Sequence, residues 1–308
     1  MAAKQWFLST PPGDGISKVA WLSPTQLLVS SWDSTVTLHT AASGERVASV
    51  AHKGAVLDVA GGGGAAPSCF FSGGLDMAVL RHDLAASGGA GGGADVLGSH
   101  AGAVRCVERS DAHGAVVTGS WDKTAKVWDP RSRGAAGGGA VATLSLPDRC
   151  YAMALLGEDA LLVGTAGRRV LLFDLRRLAP IALAAGGSSE GALLQDRESS
   201  LKHQTRCLRA LPDATGFTTG SIEGRVAVDY VDLAPAVQER KYAFKVRAAF
   251  GGGVASTSYH FSAGQRVAAA TAGTNSVYRC CRTTRLLPTG AKRRQAEAQR
   301  GKADRGRQ

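Results

Sequence analysis

Five times along this chain a short strand-forming run breaks at a polar turn and resumes as a second run of alternating apolar residues. The turn positions Asp33, Asp76, Asp122, Gly167 and Glu223 stand 43, 46, 45 and 56 residues apart. The surrounding stretches are SSWDSTVTLH from Ser30 to His39, GGLDMAVLRHD from Gly73 to Asp83, VTGSWDKTAKVWDPR from Val117 to Arg131, GTAGRRVLLFD from Gly164 to Asp174 and GSIEGRVAVDY from Gly220 to Tyr230. A self-similar period of this size constrains the fold more than any composition does. A small sheet cannot bury both of its faces alone, so such units must stack, each covering its neighbour.

The spacing is close to the ~40–45 residues of WD-type repeats, and Trp128-Asp129 closes the third unit where such repeats place that dipeptide. The expected fold is an all-β, WD-repeat β-propeller with about five blades recognisable, four short strands to a blade around a central channel. The third unit also explains its recurring polar residues. His100 precedes the first strand, Thr118 or Ser120 lies on the second, Asp122 sits in the turn and Trp128 on the third. These residues are placed to chain imidazole, carboxylate, hydroxyl and indole N–H so that each buried polar atom has a partner. His52 and Asp76 repeat half of the arrangement in the second unit. A structural blade network is the expected role of these residues, in preference to general-base or metal-ligand chemistry.

The chain has 308 residues, 44% of them hydrophobic, enough for a propeller core. There is no run of ~18 apolar residues, and the opening MAAKQWFLST lacks an apolar signal-peptide segment. The expectation is a soluble intracellular protein without membrane contact. The six cysteines, Cys69, Cys106, Cys150, Cys207, Cys280 and Cys281, form no Cys-x-x-Cys pair and lack histidines at zinc spacing. They read as reduced thiols. Gly/Ala/Ser-rich segments at Gly61 to Gly64, Ser87 to Gly93, Gly134 to Gly139 and Ala184 to Gly191 fall between the repeats and read as surface loops. None has the Gly-x-x-x-x-Gly-Lys-Ser/Thr form of a phosphate cradle. With no Ser/His/Asp or metal constellation apart from the blade network, the expectation is a binding protein with no cofactor and no metal, not an enzyme.

More specific words occur in order: PPGDGIS (Pro11 to Ser17), LLVSSWD (Leu27 to Asp33), GAVLD (Gly54 to Asp58), SGGLD (Ser72 to Asp76), RCVE (Arg105 to Glu108), VGTAGRRVLLFDLR (Val163 to Arg176), RESSLK (Arg197 to Lys202), QTRC (Gln204 to Cys207), SIEGRVAV (Ser221 to Val228) and KYAFK (Lys241 to Lys245). Together they resemble the spindle-checkpoint WD-repeat protein of the budding-uninhibited-by-benzimidazoles group over about residues 6–245. The sibling WD-repeat mRNA export factor of the nuclear pore shares SIEGRVA and the Ser/Trp turns, while GTAGRRV and ESSLK-x-QTR favour the checkpoint group.

This resemblance implies a seven-bladed family fold and a mitotic checkpoint scaffold, found in the nucleus, at kinetochores in mitosis and also in the cytoplasm. It implies two sets of partners: a checkpoint kinase and its pseudokinase-like relative, bound through a short motif, and a kinetochore scaffold phosphorylated on threonine. Trp32 and Trp121, each just before a turn acid, are the expected partner anchors, since Trp and Arg dominate interface hot spots. Arg225 in SIEGRVAV matches the family arginine expected to pair with phosphothreonine. Arg168 and Arg169 are further candidates, one of which faces solvent on the alternative reading. An mRNA export adaptor of the sibling type is the second function class.

After KYAFK the resemblance ends. The chain reads Val246-Arg247-Ala248 where the family continues Cys-His-Arg, and no further WD signature follows. The division expected is an incomplete propeller over 1–245 and a non-family basic tail over 246–308. This tail holds 12 Lys+Arg and 2 Asp+Glu, so nearly all of the formal +11 charge lies there. The run KRRQAEAQRGKADRGRQ from Lys292 to Gln308 would suit nucleic acid, which is otherwise not an expected partner. The competing reading is a disordered segment or gene-model artefact, because every valine codon begins with the GT of a splice donor. Two missing blades would leave the ring open and its strand edges exposed. An N-terminal strand from Trp6 to Ser9 is the expected partner of the last blade.

Overall fold

The computed structural model describes residues 8–62, 67–84, 94–131, 139–178 and 191–245, and the backbone alone of residues 257–262, 265–272 and 275–281. Five four-stranded antiparallel sheets follow one another in the chain. The first comprises β1 (Ile16–Ser23), β2 (Gln26–Ser31), β3 (Thr35–Thr40) and β4 (Arg46–Ala51). The second comprises β5 (Val56–Gly61), β6 (Cys69–Gly74), β7 (Ala78–Asp83) and β8 (Ala94–Ser99). Next come β9 (Val104–Ser110), β10 (Ala115–Ser120), β11 (Thr124–Trp128) and β12 (Ala142–Ser145), then β13 (Cys150–Leu156), β14 (Ala160–Thr165), β15 (Arg169–Asp174) and β16 (Leu193–Glu198). The fifth sheet has β17 (Thr205–Ala210), β18 (Gly216–Ser221), β19 (Arg225–Tyr230) and β20 (Tyr242–Lys245), with a one-turn helix α1 (Pro235–Gln238) between its last two strands.

Within each sheet the strands pair in sequence order, and the first strands of successive sheets lie side by side: β1 beside β5, β5 beside β9, β9 beside β13 and β13 beside β17. That is the geometry of a WD-repeat β-propeller, with the first strand of each blade innermost. Apolar residues fill the spaces between blades. Leu28, Val36 and Leu38 of the first sheet meet Val56, Val59 and Phe70 of the second. Leu162, Val170 and Leu172 of the fourth meet Leu208 and Phe217 of the fifth. Blades come close where β10 carries glycine: a Cβ at Gly119 would stand 2.3 Å from Cys150 Sγ on the next blade's inner strand. The outermost strands are largely exposed, with no residue of β20 buried.

Within the segment where the resemblance ends, the backbone forms three further antiparallel strands, β21 (Thr257–Ser262), β22 (Gln265–Ala272) and β23 (Asn275–Cys281), β21 running beside β17. β-Branched and aromatic residues recur in each of them, with Gly264 and Gly273 in the breaks between. The basic run Lys292 to Gln308 and the N-terminal Trp6 lie outside the described residues. Ser9 donates its N–H and its hydroxyl to the Gly44 carbonyl, in the turn before β4. It is attached to the first sheet, not to the last.

The hairpin between second and third strands has one conformation in all five sheets. Ser34, Met77, Lys123, Arg168 and Gly224 occupy the same turn position, each with φ between 61° and 77°. In three of them the N–H of this residue reaches back to the carbonyl three positions earlier, Gly74, Thr165 or Ser221. This is the three-residue hairpin loop that places one residue in the left-handed region. Only glycine adopts that region without a steric cost of roughly 1 kcal/mol. Lys123→Gly, whose exposed side chain makes no described contact, is expected to raise stability by ~0.5–1 kcal/mol. Gly224→Ala is expected to lower it by a similar amount, both read as shifts in the urea midpoint.

Candidate peptide-binding face

These five turns open on one face of the propeller. The residue before each turn acid or glycine is Trp32, Leu75, Trp121, Ala166 or Ile222. Trp32 is 48% exposed, Ile222 51%, Leu75 38% and neighbouring Met77 43%. Large apolar side chains are thus held in solvent at equivalent positions of several blades, a patterned set that makes this face the candidate for recognition, where a single exposed leucine would mean little. Trp32 is held in place by its own N–H, bonded to the Gly15 carbonyl at 2.9 Å. Trp121 is half-buried, and its indole Nε1 has no hydrogen-bond partner among the described residues.

Beneath the turns lies the polar scaffolding. His100 Nδ1 bonds Asp122 Oδ2 at 3.0 Å, His100 Nε2 bonds Thr118 Oγ1 at 2.7 Å, and Trp128 Nε1 donates to the same hydroxyl at 2.7 Å. Ser120 stands apart from this chain: its hydroxyl donates to the Gly102 carbonyl and accepts the Asp122 N–H. Burial works to raise the Asp122 carboxyl, but hydrogen bonds from Thr124 and the Ala101 N–H outweigh it and hold the group below the usual carboxylate range. Desolvation lowers His100 despite the adjacent carboxylate. In the second blade His52 bonds Asp76 at 2.9 Å and Ser72 at 2.8 Å, and Ser72 also meets His82 Nε2 at 2.7 Å. His82 takes the place that Trp128 holds in the third blade.

One feature escaped the sequence reading. The inner strand of every described four-stranded sheet has a register shift near its start, opposite the end of the second strand. The extra residues are Ser17, Leu57, Arg105, Tyr151 and Arg206. A bulge leaves one residue out of the ladder and re-aims its side chain. Here three of the five bring a cation or a phenol together. Arg206 is exposed in area yet partly desolvated by the protein around it; that desolvation, and then Arg105, lower its pKa. Among the described residues no carboxylate is bonded to Arg105 or Arg206. Two guanidinium groups that raise each other's energy and lack an acid partner favour a bound anion. Within the sequence their only signal was the position of an arginine just after the first strand residue, in RCVE and QTRC.

The three arginines singled out in the sequence are already paired. Arg168 bonds Glu198 and the carbonyls of Leu201 and Lys202, and Arg169 meets Asp196 Oδ2 at 2.6 Å. Arg225 Nε lies 2.9 Å from Glu223 Oε1, and Glu223 Oε2 lies 3.3 Å from His203. Arg168, Arg169 and Arg225 thus occupy the fourth and fifth blades, while Trp32 and Trp121 belong to the first and third.

A model for the WD domain, G-beta repeat matches residues 94–129, from β8 of the second blade through β11 of the third. The chain is 43% identical over 245 residues to the mitotic checkpoint protein BUB3.1 of Arabidopsis thaliana, which covers 77% of this chain and 64% of that protein. This is a WD-repeat chain similar to the mitotic checkpoint BUB3 proteins. The mitotic checkpoint protein bub3 of Dictyostelium discoideum is 35% identical over 246 residues, 77% of this chain and 65% of its own. The mRNA export factor GLE2 of Chaetomium thermophilum is 34% identical over 242 residues, with 73% and 59% covered. The chain spans a little under two thirds of the length of these relatives.

Proposed function

We propose that this chain is a mitotic checkpoint scaffold whose turn face binds a short motif of a checkpoint kinase, or of its pseudokinase-like relative, and whose fifth blade recognises phosphothreonine in a kinetochore scaffold. The observation that carries the proposal is the union of an apolar ring and unpaired cations on one face. Trp32, Leu75, Trp121 and Ile222 provide hydrophobic anchorage, and Arg105 with Arg206 provides a receptor for a carboxylate of the motif. No bond is made or broken in this function. The scaffold acts in the nucleus and at kinetochores in mitosis, where both classes of partner meet.

Isothermal calorimetry of the chain with a checkpoint-kinase motif peptide tests the first half. Trp121→Ala is expected to weaken binding at least tenfold, as truncating an aromatic hot spot costs ~2 kcal/mol or more. Arg206→Ala should weaken it by a comparable factor and flatten its salt dependence. Unchanged affinity in both variants would remove the turn face as the binding site. The similarity to GLE2 supports a second reading, an mRNA export adaptor. It predicts binding to a nucleoporin motif that is indifferent to threonine phosphorylation.

A further inference from the structure

Glu223 differs from the other turn acids in what it holds. Asp76 and Asp122 turn inward to His52 and His100 of their own blades, and Asp33 is engaged by the Gly13 N–H and by Thr35. In the fifth blade the residue that follows the outer strand and donates its N–H to the preceding turn, as His52 and His100 do, is Ser199, which has no imidazole to offer and whose hydroxyl accepts the Leu201 N–H. Glu223, one methylene longer than aspartate, lies instead between Arg225 at 2.9 Å and His203 at 3.3 Å. The Arg225 and His203 side chains are both more than half exposed, and Lys245 stands opposite Arg225 in the strand register. A carboxylate thus occupies the Nε side of a guanidinium that an incoming phosphate would otherwise be free to take.

We infer that Glu223 is an internal competitor for the anion site of the fifth blade, holding Arg225 until a phosphorylated partner displaces it. The inference rests on the proposed phosphothreonine role of Arg225. Exposed ion pairs of this kind are worth little, so Glu223 adds almost nothing to the fold and is readily exchanged for a better anion. A phosphate carries close to two negative charges and three acceptor oxygens, against one charge on a carboxylate. It can therefore replace Glu223, whereas an unphosphorylated threonine supplies no charge to do so. The carboxylate sets the threshold that a ligand must exceed.

The test is fluorescence polarisation with a kinetochore-scaffold repeat peptide, phosphorylated and unphosphorylated, on the full chain. Glu223→Gln, Arg225→Ala and the double variant are compared with the unaltered protein. Glu223→Gln is expected to tighten phosphopeptide binding about threefold to fivefold, the size set by an exposed ion pair, and to leave the unphosphorylated peptide and the kinase-motif peptide unchanged. In the Arg225→Ala background the same substitution should change phosphopeptide binding much less. If Arg225→Ala weakens phosphopeptide binding but Glu223→Gln fails to tighten it, the competitor role is overturned and the phosphothreonine reading stands. If Arg225→Ala has no effect on the phosphopeptide, both are overturned. A gain shared by all three peptides would mark a general change in the surface, and would also overturn the role.

Discussion

Asp58→Ala is expected to lower the unfolding free energy by roughly 3–5 kcal/mol, the usual cost of breaking a buried ion pair by removing one partner. Asp58 is 3% exposed on the innermost strand of the second blade. Its Oδ1 lies 2.7 Å from Lys18 Nζ on the first blade and 2.9 Å from its neighbour's N–H, Val59. Its Oδ2 accepts the Val107 N–H of the third blade at 2.9 Å. One carboxylate therefore joins three consecutive blades. Alanine at this position would strand a largely buried ammonium and an inter-blade N–H at once. Urea unfolding is the measurement, and the decisive comparison is with the double variant Lys18→Met/Asp58→Ala. With no cation left to strand, it should be less destabilised than Asp58→Ala alone. A loss below 1 kcal/mol in the single variant would show that water satisfies these groups and that the pair does not hold the blades together.

Acid should destabilise the fold well before its carboxylates titrate. Burial, reinforced by the nearby His52, lowers His82 from 6.5 to about 3, and burial lowers His39 and His100 in the same direction. Such a histidine is neutral in the folded state, while the unfolded chain takes up a proton as pH falls through about 6.5. The stability associated with it is complete above 6.5 and declines between 6.5 and the folded value. For His82 alone that decline amounts to about 2 kcal/mol between pH 7.5 and pH 5, and to roughly 4 kcal/mol by pH 3. The lowered carboxylates Asp33, Asp122, Asp129 and Asp174 act in a separate window, contributing above 3.8 and losing that contribution as pH falls further. His82→Phe keeps an aromatic ring against Phe70, with which His82 stacks at 4.5 Å, and leaves Ser72 bonded to His52. Its urea stability should fall by about 2 kcal/mol less than that of the unaltered chain between pH 7.5 and pH 5. Parallel pH profiles for the two proteins would refute the assignment.

The five repeats are visible in the sequence because the second strands carry much of the burial and each runs straight into a polar turn. Runs such as Leu27–Ser31 and Val116–Ser120 are apolar throughout or end in small residues, and a turn acid or glycine follows at once. The outer strands leave no such trace. Leu193–Glu198, LLQDRE, has no apolar alternation, because it borders solvent and is held mainly by its ladder with β15. The candidate face divides in the same manner. Trp32 and Trp121 stand out because tryptophan is unusual in a tight turn. Ile222, Leu75 and Met77 look ordinary until the five turns are seen to share a face. Asp58 is illegible as a latch, since Lys18 and Val107 are 40 and 49 residues away on other sheets. Likewise, Arg225 can be singled out from its word, but only geometry shows that Glu223 already holds it.

The common conformation of the five turns separates two properties that most binding sites entangle. A left-handed residue fixes the path of each hairpin, so the side chain just before the acid is presented at the same height whatever it is. Trp, Leu, Trp, Ala and Ile occupy those five places on what is nearly one backbone. Such a face is rewritable: exchanging one presented side chain for another alters which ligand fits and leaves the frame beneath it untouched.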